Sequence, residues 1–343
     1  MTSDTTSRNS LSRRHFMALG GAGLVAGGTC ARAFAQTAPV DLTIQLNWLE
    51  TGDFAPMFAA ELKGFDLKHG IRQSFIPGGP QVDPVQSVAG GAAPVGIAAT
   101  ISQSALARAA GIPIKIIGAF NRTSPLGLLS LADNPIRTPQ DCIGKRIGLQ
   151  GGARMQWSVI MAANGMTESQ MTIVPVAGDL TPLVSKQVDG FWGTAVNQHI
   201  ALQLQGIENH IMLSAEVGAP EHFEIIIAME SSIRDRRDDI AHWLAAMIEG
   251  QDYYRNNTDE VATHIVDRSP ALKLNLAQQK AQVAALTGFI NVPGNDLPLL
   301  RVDEDGAIKA MEQLVGQGKL PADLKLHDFL DYGPLDDAYK LLG

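Results

Sequence analysis

Short apolar runs of strand length, Leu42 to Leu46, Ile71 to Ile76, Val95 to Ala98 and Ile114 to Ala119, alternate with stretches of helical period at Ala55 to Lys63, Pro84 to Ala89 and Ser102 to Ala110. That alternation predicts βα units around a largely parallel sheet. Leu126 to Leu131 is a further strand, and the turn-rich Asp133-Asn134-Pro135 and Thr138-Pro139 after it mark a connection. A second series has strands at Arg146 to Leu149, Thr172 to Val176 and Asp189 to Trp192, and helices at Met155 to Asn164, Leu180 to Gln187 and Val196 to Leu204. Phe223 to Met229 returns as a strand. From Ile233 onward the period is helical, most clearly at Ala241 to Tyr254, Asp259 to Val266, Leu276 to Leu286 and Asp303 to Val315.

The break near Leu131 and the return near Phe223 predict a second lobe inserted into the first, with residues 36–131 and 223–343 in lobe one and 132–222 in lobe two. The fold class is α/β: two lobes, each a mixed, mostly parallel sheet flanked by helices, joined by two hinge crossings. Such a clamshell closes on a ligand between the carboxyl ends of its strands, where backbone groups and helix N-termini are free.

The first 35 residues stand outside this pattern. Ser12-Arg13-Arg14-His15-Phe16-Met17 precedes an apolar run from Ala18 to about Gly28, and Ala33-Phe34-Ala35 supplies small residues before a cut. Residues 1–35 read as a twin-arginine export signal, handled by the twin-arginine translocase and cleaved near Gln36. The run is too short and glycine-rich for a membrane span, which needs roughly 20 apolar residues. The expected location is therefore the periplasm, as a soluble monomer. Of 27 basic and 35 acidic residues, four arginines and one aspartate leave with the signal, so 23 and 34 remain and the net charge is −11. An acidic chain repels phosphate backbones, which argues against nucleic acid as a partner. Cys142 is the one cysteine left, so neither an internal disulfide nor a cysteine-based metal site is expected.

No catalytic constellation stands out: there is no nucleophile elbow, no phosphate-binding Gly-rich loop ending in Lys, no His-Glu-x-x-His helix and no spaced Cys/His set. Neither catalytic residues nor a metal or cofactor are expected. Instead, aromatic, amide and glycine residues recur where strands end. Asn47, Trp48, Glu50 and Phe54 follow the first strand and offer stacking area beside polar groups, although Trp48 would equally plug a lobe core. Gly78 and Gly79 follow the second strand and let backbone approach a ligand or make a turn. Thr100 stands at a strand-to-helix turn, where its hydroxyl serves a ligand or caps its own helix. In the second lobe Gly151, Gly152 and Arg154 open a helix as an anion nest, with Trp157 one turn on. Trp192 and Asn197 flank the end of another strand, and Glu224 lies on the returning crossing strand as an acceptor for ligand N–H groups or as a solvated carboxylate.

Several of these segments resemble one family, the periplasmic substrate-binding proteins of ABC importers for nitrate, sulfonates, taurine and thiamine pyrimidine precursors. The resemblance is carried by Leu46-Asn47-Trp48, by the alanine-rich helix from Ala55 to Gly64, by Phe65 to Gly70, and by Leu183 to Phe191 with its Gln187-Val188-Asp189-Gly190; it runs from about Asp41 to Lys319. It implies the type II periplasmic-binding-protein clamshell, capture of a small molecule without chemistry, and an ABC permease with its ATPase as partners. Trp48, Trp157 and Trp192 favour a planar nitrogen heterocycle such as a thiamine pyrimidine precursor. A sulfonate, taurine or nitrate anion on Gly151, Gly152 and Arg154 is the alternative, and a ligand-presenting sensor is a third. A pyrimidine-synthesising enzyme branch on the same fold relies on a cysteine-rich iron motif and a sacrificed histidine. A chain left with one cysteine departs from that pattern.

Overall fold

The ten strands among the described residues sort into two sheets of five with the same plan. In chain order they are β1 (Val40–Gln45), β2 (Ile71–Ile76), β3 (Val95–Ala98), β4 (Ile114–Asn121), β5 (Leu126–Leu131), β6 (Arg146–Leu149), β7 (Thr172–Pro175), β8 (Gly190–Thr194), β9 (Asn209–Leu213) and β10 (Phe223–Met229). One sheet has the order β2-β1-β3-β10-β4 and the other β7-β6-β8-β5-β9. In each, three strands run parallel and the fourth in order runs antiparallel to both neighbours. That fourth strand is the first one after a crossing between the lobes. The computed structural model describes residues 38–291, 294 and 296–343, so the export signal expected over residues 1–35 lies outside the described residues. Ala38–Gly343 forms a single unit.

The plan corrects one expected boundary. β5 was expected to close lobe one, yet it pairs with β8 and β9 of the second sheet, so the first crossing falls at 122–125 rather than after Leu131. The reason is that Leu128 and Leu129 find their buried partners in the second lobe. The return at Phe223 stands where the pattern put it, because β10 threads between β3 and β4. The helix expected over Leu180 to Gln187 shrinks to Thr181–Val184, and Lys186 just beyond it takes a left-handed φ of 58° that ends it. β9 and the final helix Gly333–Leu342 went unread.

Lobe one is held by the helix Ala55–Lys63 lying against Arg237–Tyr254, where Phe58, Trp243 and Tyr254 are fully buried. Gly250 permits that approach, since a Cβ there would stand 2.2 Å from the Pro56 carbonyl oxygen. A second core runs from Ala98 and Ile101 of lobe one into Ile147 and Trp157 of lobe two. The C-terminal helices of lobe one also reach lobe two directly. Gln278 Nε2 donates to Asn197 Oδ1 at 2.8 Å, and Lys319 meets the Ser158 hydroxyl.

Candidate functional site

A cavity of about 290 Å³ lies between the sheets, where strand ends of both lobes meet. On the lobe-one side it is framed by two backbones lying on each other. Leu46 N–H donates to Ile76 O at 3.0 Å, Gly78 N–H to Trp48 O at 2.9 Å and Gly79 N–H to Asn47 O at 3.2 Å. Gly78 makes this possible, because a Cβ there would stand 2.2 Å from the Asn47 carbonyl carbon. The pairing fixes Asn47 and Trp48 at the cavity wall and brings Gly79 there as well. The Trp48 indole extends across to Gly178 of lobe two, leaving 3.8 Å to where a Cβ would stand, so the two lobes meet over the cavity.

Two carboxyls face the cavity from lobe one. Asp53 accepts from Thr51 Oγ1 at 3.0 Å and from Gln282 Nε2 at 2.9 Å, and Gln279 ties the same loop through Gly52 N–H at 2.8 Å. Glu224 is 1% exposed and accepts from Asn47 Nδ2 at 3.1 Å. Burial pushes the Glu224 carboxyl well above the usual carboxylate range, and the Asp53 charge pushes it further; the Asn47 amide opposes them. Burial raises Asp53 too, against its two hydrogen bonds. Glu224 also sits at a left-handed φ of 58°, a conformation costly for a side chain with a Cβ. Asn47 Oδ1 is buried without a partner, an acceptor held open beside them.

Lobe two answers with amides and an indole. Trp192 lies in the buried part of β8 and is braced edge-on by Trp157, ring centres 6.1 Å apart at 73°. Gln150 Nε2 donates to Trp192 O at 3.1 Å, and Gln198 Oε1 accepts from Thr194 N–H at 2.9 Å. Those bonds leave the Gln150 oxygen and the Gln198 amide nitrogen for a ligand. Gly152, Gln156 and Asn197 complete this side. No Lys, Arg, His or Cys lines the cavity among the described residues.

Of the expected site residues, Asn47, Trp48, Gly79, Gly152, Trp192, Asn197 and Glu224 line the cavity. The others stand elsewhere. Glu50 pairs with Arg268, which also holds Glu61, in an ion-pair cluster away from the cavity. Phe54 is fully buried in the lobe-one core, Gly78 acts through the backbone approach, and Gly151 is exposed beside Gly152. Thr100 is fully buried and caps its own helix, accepting from Gln103 N–H at 3.2 Å. Arg154 points outward and pairs with Glu168 at 2.8 Å, so the anion nest lacks its cation. Trp157 is fully buried behind Trp192. Sequence reasoning missed Asp53, Gln150, Gln156 and Gln198. Asp53 lay inside the very loop singled out, and the glutamines carried no signal beyond their places near strand ends.

The family signature of NMT1/THI5-like proteins matches residues 51–261, more than half of the chain and both lobes. The chain belongs to the NMT1/THI5-like family. Among relatives of this member, the riboflavin-binding protein RibY of Chloroflexus aurantiacus is 26% identical over 188 residues, 53% of this chain and 54% of that protein. The formylaminopyrimidine-binding protein of Halalkalibacterium halodurans is 22% identical over 242 residues, 69% and 73% of the two chains. The 4-amino-5-hydroxymethyl-2-methylpyrimidine phosphate synthase of Schizosaccharomyces pombe is 26% identical over 164 residues, 47% of each. The chain thus spans about half the length of the first and third of these relatives. Among solved structures, the alkanesulfonate-binding protein SsuA of Xanthomonas axonopodis pv. citri superposes with a TM-score of 0.62 at 15% identity, covering 85% of this chain and 98% of that one. The periplasmic nitrate-binding protein NrtA of Synechocystis PCC 6803 does so with 0.65 at 12% identity, covering 89% of each. The two-lobed fold of this family member is that of the periplasmic binding proteins. Among its described residues no helix is long and apolar enough to cross a membrane.

Proposed function

We propose that the protein is an exported solute receptor. In this reading it captures a planar nitrogen heterocycle that is neutral or cationic, of the class of a thiamine pyrimidine precursor, and delivers it to an ABC permease and its ATPase. One observation carries this reading: among the described residues the cavity presents two buried carboxyls and a row of side-chain amides, and no cationic side chain. A sulfonate or nitrate would lose its hydration there and meet no cationic side chain among the described lining residues to offset that cost. A ring with N–H donors instead meets Asn47 Oδ1 and the Glu224 carboxyl along one edge, while the Gln198 and Asn197 amides serve acceptor atoms on the other. Trp48 and Trp192 supply the apolar surface. The two relatives named for binding a flavin and a formylaminopyrimidine agree with a flat nitrogen ring.

Capture without chemistry is part of the proposal, although some relatives are named as a pyrimidine phosphate synthase. Its support is that among the described residues the cavity wall carries neither histidine nor cysteine. The single thiol after residue 35, Cys142, is buried and pushed up to about 12, mainly by that burial. A location outside the cytoplasm, export through the twin-arginine route and a monomeric state belong to the same proposal. A thermal-shift screen of residues 36–343 against aminopyrimidines, flavins, taurine, alkanesulfonates and nitrate tests it. A ligand at a hundred times its Kd adds about 2.7 kcal/mol, which is several degrees. Shifts with the rings support the reading, whereas shifts with sulfonates or nitrate alone refute it.

A further inference from the structure

Behind Trp192 a second, smaller chamber of about 10 Å³ continues from the main cavity. Met155, Gln156, Trp192 and Leu126 line both spaces and stand between them. The chamber's far end is polar, with Ser102, Ser214 and Glu221. Its volume holds about one water-sized group. Glu221 lies on the second crossing, just before β10. Its Oε1 accepts from Ser102 N–H at 3.3 Å, and its Oε2 is buried without a partner. Burial pushes this carboxyl up to about 7. The Ser102 side chain and the Ile101 and His222 backbone also favour this carboxylate, yet its Oε2 keeps no hydrogen bond of its own, and a buried acceptor left so costs the fold.

We propose that this chamber is a side pocket of the ligand site, taking the terminal nitrogen of a short primary-amine arm carried by the ring, with Glu221 as the acceptor that selects it. The inference rests on the heterocycle reading above. The partition is suited to it. Met155 is an unbranched side chain that moves aside at little cost, and Trp192 offers a flat edge along which a one-carbon arm passes. An amine brings several N–H donors to a space edged by the Glu221 carboxyl and two serine hydroxyls. A methyl group in the same place would leave the Oε2 acceptor stranded.

The test is calorimetric titration of the protein with two pyrimidines that differ only in carrying an aminomethyl or an ethyl group at one ring carbon. Preference for the aminomethyl compound by at least tenfold is expected, falling below threefold in Glu221→Gln, with affinity for the ethyl compound little changed. Ser214→Val, which fills the chamber and leaves Glu221 in place, should erase the preference as well, and this second variant keeps the test decisive where Glu221→Gln folds poorly. Equal binding of the two pyrimidines by the wild-type protein, or a preference that survives both variants, overturns the side pocket while the heterocycle reading stands. Failure of both compounds to bind overturns the two together.

Discussion

Lobe one meets the cavity with carboxyls, Asp53 and Glu224, whereas lobe two meets it with the amides of Gln150, Gln156, Asn197 and Gln198 and the indole of Trp192. Both walls come from the same sheet plan, four strands running one way and one reversed, so the plan does not decide the chemistry. The difference lies in how each wall is held. The acids of lobe one are locked by a network running through Gln282, Gln279, Thr51 and Asn47, and their protonation is set by burial. The lobe-two wall is set by packing, with Trp192 leaning on Trp157. In the proposed reading one wall would select charge and donor pattern, and the other shape.

Breaking the packed wall should have the largest effect. Trp157→Ala removes a fully buried indole and should cost about 3–5 kcal/mol of stability by chemical denaturation, weakening ligand binding only through Trp192. A loss under about 1 kcal/mol would show that the wall does not depend on it. Breaking the acid wall with Glu224→Ala should lower affinity for an aminopyrimidine about a hundredfold, near 2.7 kcal/mol, with the fold retained. Undiminished affinity would remove Glu224 from recognition. Trp48→Ala should weaken a flat ligand about tenfold, near 1.4 kcal/mol, and an unchanged titration would make that indole a mere lid.

The buried acid at the second crossing gives a pH signature. Glu221 keeps its proton in the folded state up to about 7, while in the unfolded chain it loses it near 4.5. Between those values the folded state holds the extra proton, so stability falls as pH rises through the window, at most about 1.4 kcal/mol per pH unit. His222 works the other way. Burial, with Arg122 nearby, lowers it to about 3, so its contribution is present above 6.5 and is lost as pH falls toward 3. Between 4.5 and 6.5 the two slopes oppose each other, so Glu221→Gln should leave stability rising with pH there more steeply than in wild type, read from urea unfolding at each pH, and curves parallel to wild type would count against the buried acid. The smallest effect belongs to Arg154→Ala. Its pairing with Glu168 is exposed, so stability should stay within about 0.5 kcal/mol and ring binding should not move. A marked loss of binding would return weight to the anion reading.

These contrasts also mark what was legible in the chain. Strand-length runs and helical periods located nine of the ten strands and the insertion of one lobe in the other, because burial leaves a period in sequence. Where a run ends is visible; which sheet claims it is not. β5 was assigned to the wrong lobe for that reason, since strand pairing is a tertiary choice. At the cavity, the loops were found but not always the side chains. Asn47, Trp48 and Glu224 carry unusual chemistry at strand ends and were seen. Arg154 was misplaced because a first-turn position does not say whether a side chain turns to the cleft or to Glu168. Asp53 was passed over because its partner Gln282, and Gln279 that holds the neighbouring Gly52, lie more than two hundred residues away in the chain.

The place of β10 between β3 and β4 bears on how the chain comes off the ribosome. Every strand of the second sheet lies between Leu126 and Leu213, so that sheet has all its members before β10 is made. The first sheet does not: β4 has no neighbouring strand until Phe223–Met229 arrives. The inserted lobe is thus positioned to assemble first, while the lobe begun earlier waits with the edges of β3 and β4 open. Open edges are templates for pairing with other chains, so the nascent first half is the stretch most in need of a chaperone.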